Sequence, residues 1–131
     1  MALKTKSKYL ETARRYRETH KESHREWYQT IGKQKEAILR ITVKVEVLTY
    51  YGKRNCACVT CGESRLACLS IDHINGNGCK ERKRFGSNRY GYKFYLYLKK
   101  NNYPKGYQTL CMNCQFMKAV YDRAKKKEVP E

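Results

Sequence analysis

Acidic residues are scarce in this sequence of 131 residues. The chain has 12 aspartates and glutamates against 29 lysines and arginines, which gives a net charge of +17 and a pI near 9.7. A charge of this size opposes compact folding and is most useful where a protein displaces counterions from phosphates. We therefore expect a polyanionic partner. The alternative is a ribosome-like basic protein, or one that is merely soluble.

Long apolar runs are also lacking. With 131 residues and 40% hydrophobic content, we expect one domain with an additional arm and a small core. No signal peptide or apolar segment of membrane-spanning length begins at Met1, so we expect no membrane partner and an intracellular location. A small core also indicates that other cross-links stabilise the fold.

Seven cysteines supply candidates for such cross-links. Cys58 and Cys61 form one Cys-x-x-Cys pair, Cys111 and Cys114 form a second, and 49 residues separate the pairs. In this pattern each pair gives two thiolates to a tetrahedral Zn²⁺, which ties distant segments together. A disulfide framework is the competing interpretation. The odd cysteine count and the lack of a signal peptide favour a reducing compartment instead.

The other three cysteines lie outside any spaced motif. Cys56 is one residue too close to Cys58 for a standard zinc knuckle, so we interpret it as a bystander, with substitution for a ligand as the alternative. Cys68 is expected to be a small buried apolar residue. Cys79 is expected to be a free thiol.

Residues 1 to about 34 contain no proline and a single glycine. Opposite charges recur at helical spacing, as in Glu11 and Arg15, and the apolar residues are too sparse for a continuous stripe. The segment is predicted to be a long, solvated helical arm that DNA or a second subunit orders. His20 and His24 are one turn apart, but without a third ligand nearby a solvated helix face is preferred over a metal site.

Residues 35 to 51 fit two patterns. Helical three-four spacing connects Ile38, Ile41, Val45 and Leu48, whereas alternate β-branched residues in the same segment indicate a strand. We favour a helix that ends at Gly52, because good helix formers precede it and glycine suits the C′ position. In either case the segment is expected to pack its apolar face under the first zinc knuckle.

An aspartate and a histidine stand side by side between the cysteine pairs, at Asp72 and His73. Residues 67–72 are predicted to form a short strand, and the Asn-Gly-Asn-Gly sequence at 75–78 predicts a turn. A second short strand is predicted at 107–110, followed by a helix from Cys111 to about residue 126. Its inner side is expected to carry Phe116, Met117, Val120 and Tyr121.

Basic residues are densest just after the Asp-His pair. Nine lie between Lys80 and Lys105, against Glu81 alone. Aromatic residues are mixed with lysines from 90 to 100, which predicts a short helix before a turn at 101–106. These rings either contact nucleic acid or cover a small core beside the zinc, and the pattern favours neither.

The order strand, loop, strand, helix, with zinc joining the ends, resembles the HNH (ββα-metal) endonuclease family, specifically its small phage-type members with four zinc-binding cysteines. The resemblance is carried by residues 58–63, 71–78, 80–84, 102–107 and 110–118. It implies an α+β fold with a small zinc-stapled ββα-metal core and a long basic N-terminal helical arm. We divide the chain into an arm and connecting helix at 1–50, a nuclease domain at 51–126 and a tail at 127–131.

The resemblance also implies roles for single residues. In that family the histidine of the Asp-His pair is the general base, here His73, and the aspartate before it, here Asp72, binds a catalytic divalent ion such as Mg²⁺ or Mn²⁺. A second ligand, usually asparagine or histidine, follows the last zinc cysteine, where this chain has Gln115. Asn113, inside the knuckle, is the alternative ligand.

Physical chemistry favours His73 as the base without the family. Phosphodiester cleavage needs a water deprotonated in line with the leaving oxygen and a cation beside the phosphate. His73 is the one histidine of this region. Asp72 projects to the opposite face of a regular strand, so both can act on one phosphate only if the strand ends or twists there. Candidate nucleic-acid contacts are Arg82, Lys83, Arg84, Arg89, Lys93, Lys99 and Lys118.

Together these features predict a metal-dependent endonuclease or nickase, such as a homing endonuclease, that acts on double-stranded DNA. The family implies 5′-phosphate and 3′-hydroxyl ends, and a phage or mobile-element context in the cytoplasm of a bacterial host. One site cuts one strand, so double-strand cleavage needs a homodimer or two successive nicks. The alternatives are a non-catalytic zinc-bearing DNA-binding module and an RNA-binding protein, since charge and tyrosines do not distinguish DNA from RNA.

Overall fold

The computed structural model describes residues 2–86 and 91–128 of the chain, with side chains described from 5 to 86 and from 91 to 127. The fold is α+β and mostly helical, with a small two-stranded sheet and a cluster of four cysteines. The predicted fold class is therefore confirmed at the level of α+β with a four-cysteine cluster.

The chain divides into two compact units, Met1–Leu39 and Arg40–Glu131. The first contains α1 (Ala2–Thr19), α2 (Lys21–Trp27), a π-helical turn (Tyr28–Gly32) and the start of α3 (Lys33–Tyr51). Its side chains are almost all exposed, because its apolar residues form no continuous stripe. The division falls inside α3, whereas the sequence suggested a boundary after residue 50.

Helix α3 settles the ambiguity of residues 35 to 51, since the segment is helical and ends just before Gly52, as predicted. Its buried residues are Val43, Val47, Leu48 and Tyr51. Positions 43, 47 and 51 are one turn apart, so β-branched residues that looked like an alternating strand share one helix face. Leu48 packs against Cys58 and Cys111, which confirms the predicted packing under the zinc knuckle.

The sheet pairs β1 (Leu69–His73) with β2 (Tyr107–Cys111) in an antiparallel register. Leu69 lies opposite Cys111 at one end, and His73 lies opposite Tyr107 at the other. A 3-10 turn (Leu66–Cys68) precedes β1, and α6 (Met112–Glu128) begins directly after β2. The predicted order of strand, loop, strand and helix is confirmed within a few residues.

Two helices, α4 (Gly78–Phe85) and α5 (Gly91–Lys100), lie between the strands. The sequence predicted α5 and missed α4. The run of asparagine and glycine at 75–78 favours a turn, and the charged residues that follow show no apolar stripe, so local patterns gave no helical signal there.

The core of the second unit consists of two clusters. One contains Leu48, Leu69 and Leu110 together with Cys58, Cys111 and Cys114. The other contains Val43, Val47, Tyr51, Phe94 and Leu98, with Tyr92, Tyr95 and Tyr97 packed against it. Burial raises the pKa of Tyr95 to about 12. The described rings of α5 therefore cover a core, while Tyr90 lies outside the described residues.

The predicted inner side of the last helix is wrong. Phe116, Met117, Val120 and Tyr121 are between 48% and 68% exposed. The side of α6 that faces the sheet carries Cys114, Gln115 and Lys118 instead, because the last two bond to residues of β1 and helical spacing puts all three on one face. Polar contacts with the strand thus turn the apolar residues outward.

Replacing Leu48 with alanine is expected to lower the free energy of unfolding by about 2–5 kcal/mol, because its fully buried side chain joins α3 to the cysteine cluster. Leu39→Ala is the matched control on the same helix, since Leu39 is 54% exposed, and should change stability by no more than about 0.5 kcal/mol. Urea unfolding at a fixed zinc concentration measures both. Equal losses would contradict the packing described above.

Candidate functional site

Four cysteines form one cluster in the second unit. The Sγ atoms of Cys58, Cys61, Cys111 and Cys114 all lie within 4.8 Å of one another. The first two follow α3, the third ends β2, and the fourth lies in the first turn of α6. Four sulfur donors suit tetrahedral Zn²⁺, so this group could hold a metal such as zinc.

Backbone geometry builds each cysteine pair into a tight turn. The Gly62 N–H donates to Cys58 O at 3.0 Å, and the Cys58 N–H donates to Glu63 O at 2.8 Å. Gly62 has φ of +78°, which glycine adopts without strain. In the second pair, the Cys114 N–H donates to Cys111 Sγ at 3.4 Å. Such N–H donors stabilise negative charge on sulfur.

The thiols of the cluster differ in their tendency to ionise. Burial opposes ionisation of Cys58, yet hydrogen bonds from the backbone N–H groups of Cys111, Cys61 and Thr60 lower its pKa to about 6. The hydrogen bond with Cys111 and then burial raise the pKa of Cys114 to about 12. A cation among the sulfurs would lower the pKa of every thiol in the cluster, because it favours the thiolate at each ligand.

The other cysteines stay outside the cluster, as predicted for Cys56. All seven cysteines are free thiols, so the structure contains none of the disulfides of the competing interpretation. Cys68 is half-buried and Cys79 is exposed. His20 is not part of a metal cluster among the described residues, and its Nδ1 contacts Tyr16 O at 2.9 Å.

His73 ends β1 and is held by two residues that the sequence analysis did not select. Its Nε2 bonds to the carboxylate of Glu81 on α4, and the Tyr107 hydroxyl donates to the other oxygen of that carboxylate at 2.6 Å. The side chains of His73 and Glu81 are only 12% and 17% exposed. Burial and this hydrogen bond raise the pKa of Tyr107, so the phenol keeps its proton and remains a donor.

The ring of His73 is packed as well as bonded. It stacks on Phe94 at a centroid distance of 5.8 Å and meets Tyr107 edge-on at 5.0 Å. The chain bends into α4 beside Nδ1, where a Cβ on Gly78 would lie 3.1 Å from that nitrogen. Glycine at 78 therefore lets the backbone approach the imidazole. Two features of the sequence could have indicated this site. Glu81 is a lone acidic residue in a basic run, and Gly78 lies three residues before it.

Asp72 faces different partners from His73. Its Oδ2 accepts a hydrogen bond from Gln108 Nε2 at 2.9 Å and lies 3.1 Å from Lys118 Nζ. His73 instead bonds to Glu81, as expected for adjacent positions of a strand. The two side chains nevertheless line one pocket.

The two candidates for the second ligand lie in different places. Gln115 is half-buried and lines the pocket that contains Asp72. Its Nε2 donates to Ser70 Oγ and, at 3.4 Å, to Leu110 O. Asn113 is exposed and lines a separate pocket beside Cys61. Gln115 is therefore the candidate that the fold brings near Asp72.

The Asp72 site does not fit Mg²⁺ as it is arranged. Mg²⁺ takes oxygen ligands in nearly ideal octahedral geometry at about 2.0–2.1 Å. The ammonium of Lys118 and the amide NH₂ group of Gln108 already meet Oδ2 of Asp72. Gln115 directs its NH₂ group, a donor, toward Ser70. The catalytic divalent ion that the family resemblance implies stays a prediction.

His73 lies between two pockets with basic walls. One, of about 490 Å³, is lined by Lys80, Arg84 and Lys105 together with Glu81. The other, of about 420 Å³, is lined by Arg82, Lys118, Arg123 and Lys126 together with Asp72 and Asp122. An anion that spans both pockets would pass the imidazole. This arrangement suits a phosphodiester backbone.

The predicted nucleic-acid contacts are distributed unevenly around the site. Four of them are exposed: Arg82, Lys83 and Arg84 on α4, and Lys93 on α5. Lys99 instead bonds to Glu46 at 2.7 Å and lowers the pKa of that carboxyl, so part of its charge is neutralised within the protein. Lys118 bonds to Asp72, and Arg89 lies outside the described residues.

Comparisons of the chain with protein-family models, with curated proteins and with solved structures found no match. Among the helices of residues 2–86 and 91–128, none is long and apolar enough to cross a membrane.

Replacing Cys58 or Cys111 with serine is expected to abolish zinc binding and folding together, because both residues belong to the sulfur cluster and to the core. Metal analysis of the purified wild type should find about one zinc per chain. Circular dichroism reports whether the fold persists in each variant.

Cys79→Ser is the matched control for these variants, since Cys79 is exposed and outside the cluster. It should retain both zinc and fold. A Cys58→Ser protein that keeps stoichiometric zinc would show that the four sulfurs do not form the metal site.

Proposed function

We propose that this protein hydrolyses phosphodiester bonds of DNA, with His73 as the general base. The observation that supports this most directly is the setting of His73, whose imidazole is bonded to Glu81 and lies between two basic pockets. A half-buried, oriented imidazole beside basic side chains suits proton abstraction from a water near phosphate.

The hydrogen bond to Glu81 determines which imidazole nitrogen of His73 acts as the base. The Glu81 carboxylate accepts a hydrogen bond from Nε2–H, so the lone pair that takes a proton from water is the one on Nδ1. The water oxygen forms a bond to phosphorus while the bond from phosphorus to the 3′ oxygen breaks. The leaving oxygen takes a proton from solvent. The products are a 5′-phosphate and a 3′-hydroxyl, the polarity that the family resemblance implies.

Charge supports a nucleic acid as the substrate. The net charge of +17 exceeds what solubility needs, and exposed basic residues of α4 flank the two pockets. Contacts from Arg82 and Arg84 to successive phosphates would hold the backbone on either side of His73. Such contacts position a strand and carry no base specificity.

The four-cysteine cluster has a structural part in this proposal. It lies where Leu69 pairs with Cys111, at the opposite end of the strands from His73. A zinc ion there would be closed by four protein ligands and would leave no position for water. It would fix the start of α6 and β2, the strand that carries Tyr107.

A second candidate function is a non-catalytic, zinc-bearing nucleic-acid-binding module. Gln115 favours it, because the resembling family usually has asparagine or histidine as the metal ligand at that position. In that case the basic pockets bind phosphate without cleavage. Nicking assays separate the two functions.

His73→Ala is expected to lower the rate of nicking of supercoiled plasmid by about 10²-fold to 10⁴-fold, because no other described histidine lies near the pockets. Gel electrophoresis of the plasmid with and without Mg²⁺ or Mn²⁺ measures the rate. DNA binding, followed by mobility shift, should be retained.

His24→Ala is the control, since His24 is exposed on α2 in the other unit. It should nick at the wild-type rate. Equal nicking by the wild type and the folded His73→Ala protein would remove His73 from the mechanism.

Glu81→Gln tests the positioning role of the carboxylate. The variant keeps the shape of the side chain but removes its charge, so kcat should fall about tenfold or more while KM for DNA does not rise, as for the carboxylates that orient catalytic imidazoles. Glu22→Gln, on the exposed surface of α2, is the control. An increase in KM with unchanged kcat would indicate that Glu81 only shapes the DNA surface.

A further inference from the structure

The ammonium group of Lys118 lies where a catalytic cation would be needed. Its Nζ is 3.1 Å from Asp72 Oδ2, donates to His73 O at 2.8 Å, and lies 3.7 Å from Asp122 Oδ2. The Lys118 side chain is 24% exposed, so its charge is partly shielded from water yet opens to the pocket. The fold thus fixes a single positive charge beside the residue that carries the imidazole.

We propose that Lys118, and not a divalent ion, supplies the positive charge at Asp72, and that this protein cleaves phosphodiester bonds without Mg²⁺ or Mn²⁺. This inference rests on the proposed nuclease function. Lys118 would contact the phosphate attacked by the water that His73 deprotonates, and Asp72 would hold the lysine in place.

The donors around Asp72 support this assignment. Gln108 Nε2 donates to Asp72 Oδ2 at 2.9 Å, and the Lys118 ammonium lies 3.1 Å from the same oxygen. A divalent ion would have to displace an ammonium and find oxygen ligands where the chain presents N–H groups. The same N–H groups complement a carboxylate or a phosphate.

The charge of the pocket points the same way. Its described lining has four cationic side chains, Arg82, Lys118, Arg123 and Lys126, and two carboxylates, Asp72 and Asp122. A dication would enter a surface that is already positive, whereas a phosphodiester anion would be attracted to it. The pocket is therefore an anion site in which Asp72 and Asp122 orient the lysine.

Lys118 is also placed to act together with His73. It bonds to the carbonyl of His73 itself, so the cation and the base are fixed to one residue of β1. Two of the three N–H groups of the ammonium meet an acceptor at hydrogen-bond distance within the described residues, through Asp72 and His73. The third can bind a phosphate oxygen on which negative charge increases as water attacks. Lysine is a common point-charge ligand of phosphate.

The test measures plasmid nicking in buffer freed of divalent ions and supplied with one equivalent of Zn²⁺ per chain. Three proteins are compared: the wild type, Lys118→Met, and the control Lys125→Met, which removes an exposed lysine of the same helix. The wild type and the control should nick at the same rate as each other, and Mg²⁺ should not change that rate. Lys118→Met should lose about 100-fold of the activity measured without Mg²⁺.

Adding Mg²⁺ to Lys118→Met distinguishes a cationic role from a structural one. With the ammonium gone, Asp72 can accept an ion, so Mg²⁺ should restore part of the lost activity. A Lys118→Met protein that stays folded and nicks like the wild type without Mg²⁺ would overturn the inference.

Binding of Mn²⁺ to the wild type, followed by electron paramagnetic resonance, needs no variant to fold. We expect no Mn²⁺ site at Asp72, because Lys118 already occupies that position. Mn²⁺ binding that Asp72→Asn abolishes, or nicking by the wild type only when Mg²⁺ or Mn²⁺ is present, would overturn the inference and leave the nuclease function standing. Folded, DNA-binding wild type that nicks under no condition would overturn both.

Discussion

Four sulfur atoms within 4.8 Å of one another cannot all carry negative charge unless a cation lies among them. This constraint governs the second unit, because the sulfurs come from two segments far apart in the chain and three of the four cysteines belong to the same core cluster as Leu48 and Leu69. A metal bound by this cluster would therefore couple its binding to the folding of the unit. The cluster fixes β2 and the first turn of α6, and through them the register of the sheet.

The two ends of the short sheet carry different groups. The end at Leu69 and Cys111 adjoins the cluster, and the end at His73 and Tyr107 carries the imidazole. Two helices inserted between the strands serve the second end, since α4 supplies Glu81 and α5 supplies the ring of Phe94 against which the imidazole packs. A small core suffices because a metal would hold one end while hydrogen bonds and aromatic contacts hold the other.

Electrostatics explains the outward face of α6. The helix meets β1 through Gln115 and Lys118, so its contact with the strand is polar and its apolar residues lie on the other side. At this contact Lys118 and Asp72 form an ion pair, and Asp122 lies 3.7 Å from the same ammonium.

The sequence by itself determined the features that depend on spacing along the chain. Two Cys-x-x-Cys pairs predicted the cluster, helical spacing predicted α3, and the Asp-His pair marked the end of β1. The segments between and after the cysteine pairs predicted β1, β2, α5 and α6 within a few residues. Only the tertiary structure decided which side chains meet. Glu81 reaches His73 from a helix without a sequence signal, Lys118 reaches Asp72 across 45 intervening residues, and Lys99 turns to Glu46 instead of solvent. Local patterns could not predict these pairs, because a charged side chain takes the partner that the packing of distant segments brings within hydrogen-bond distance.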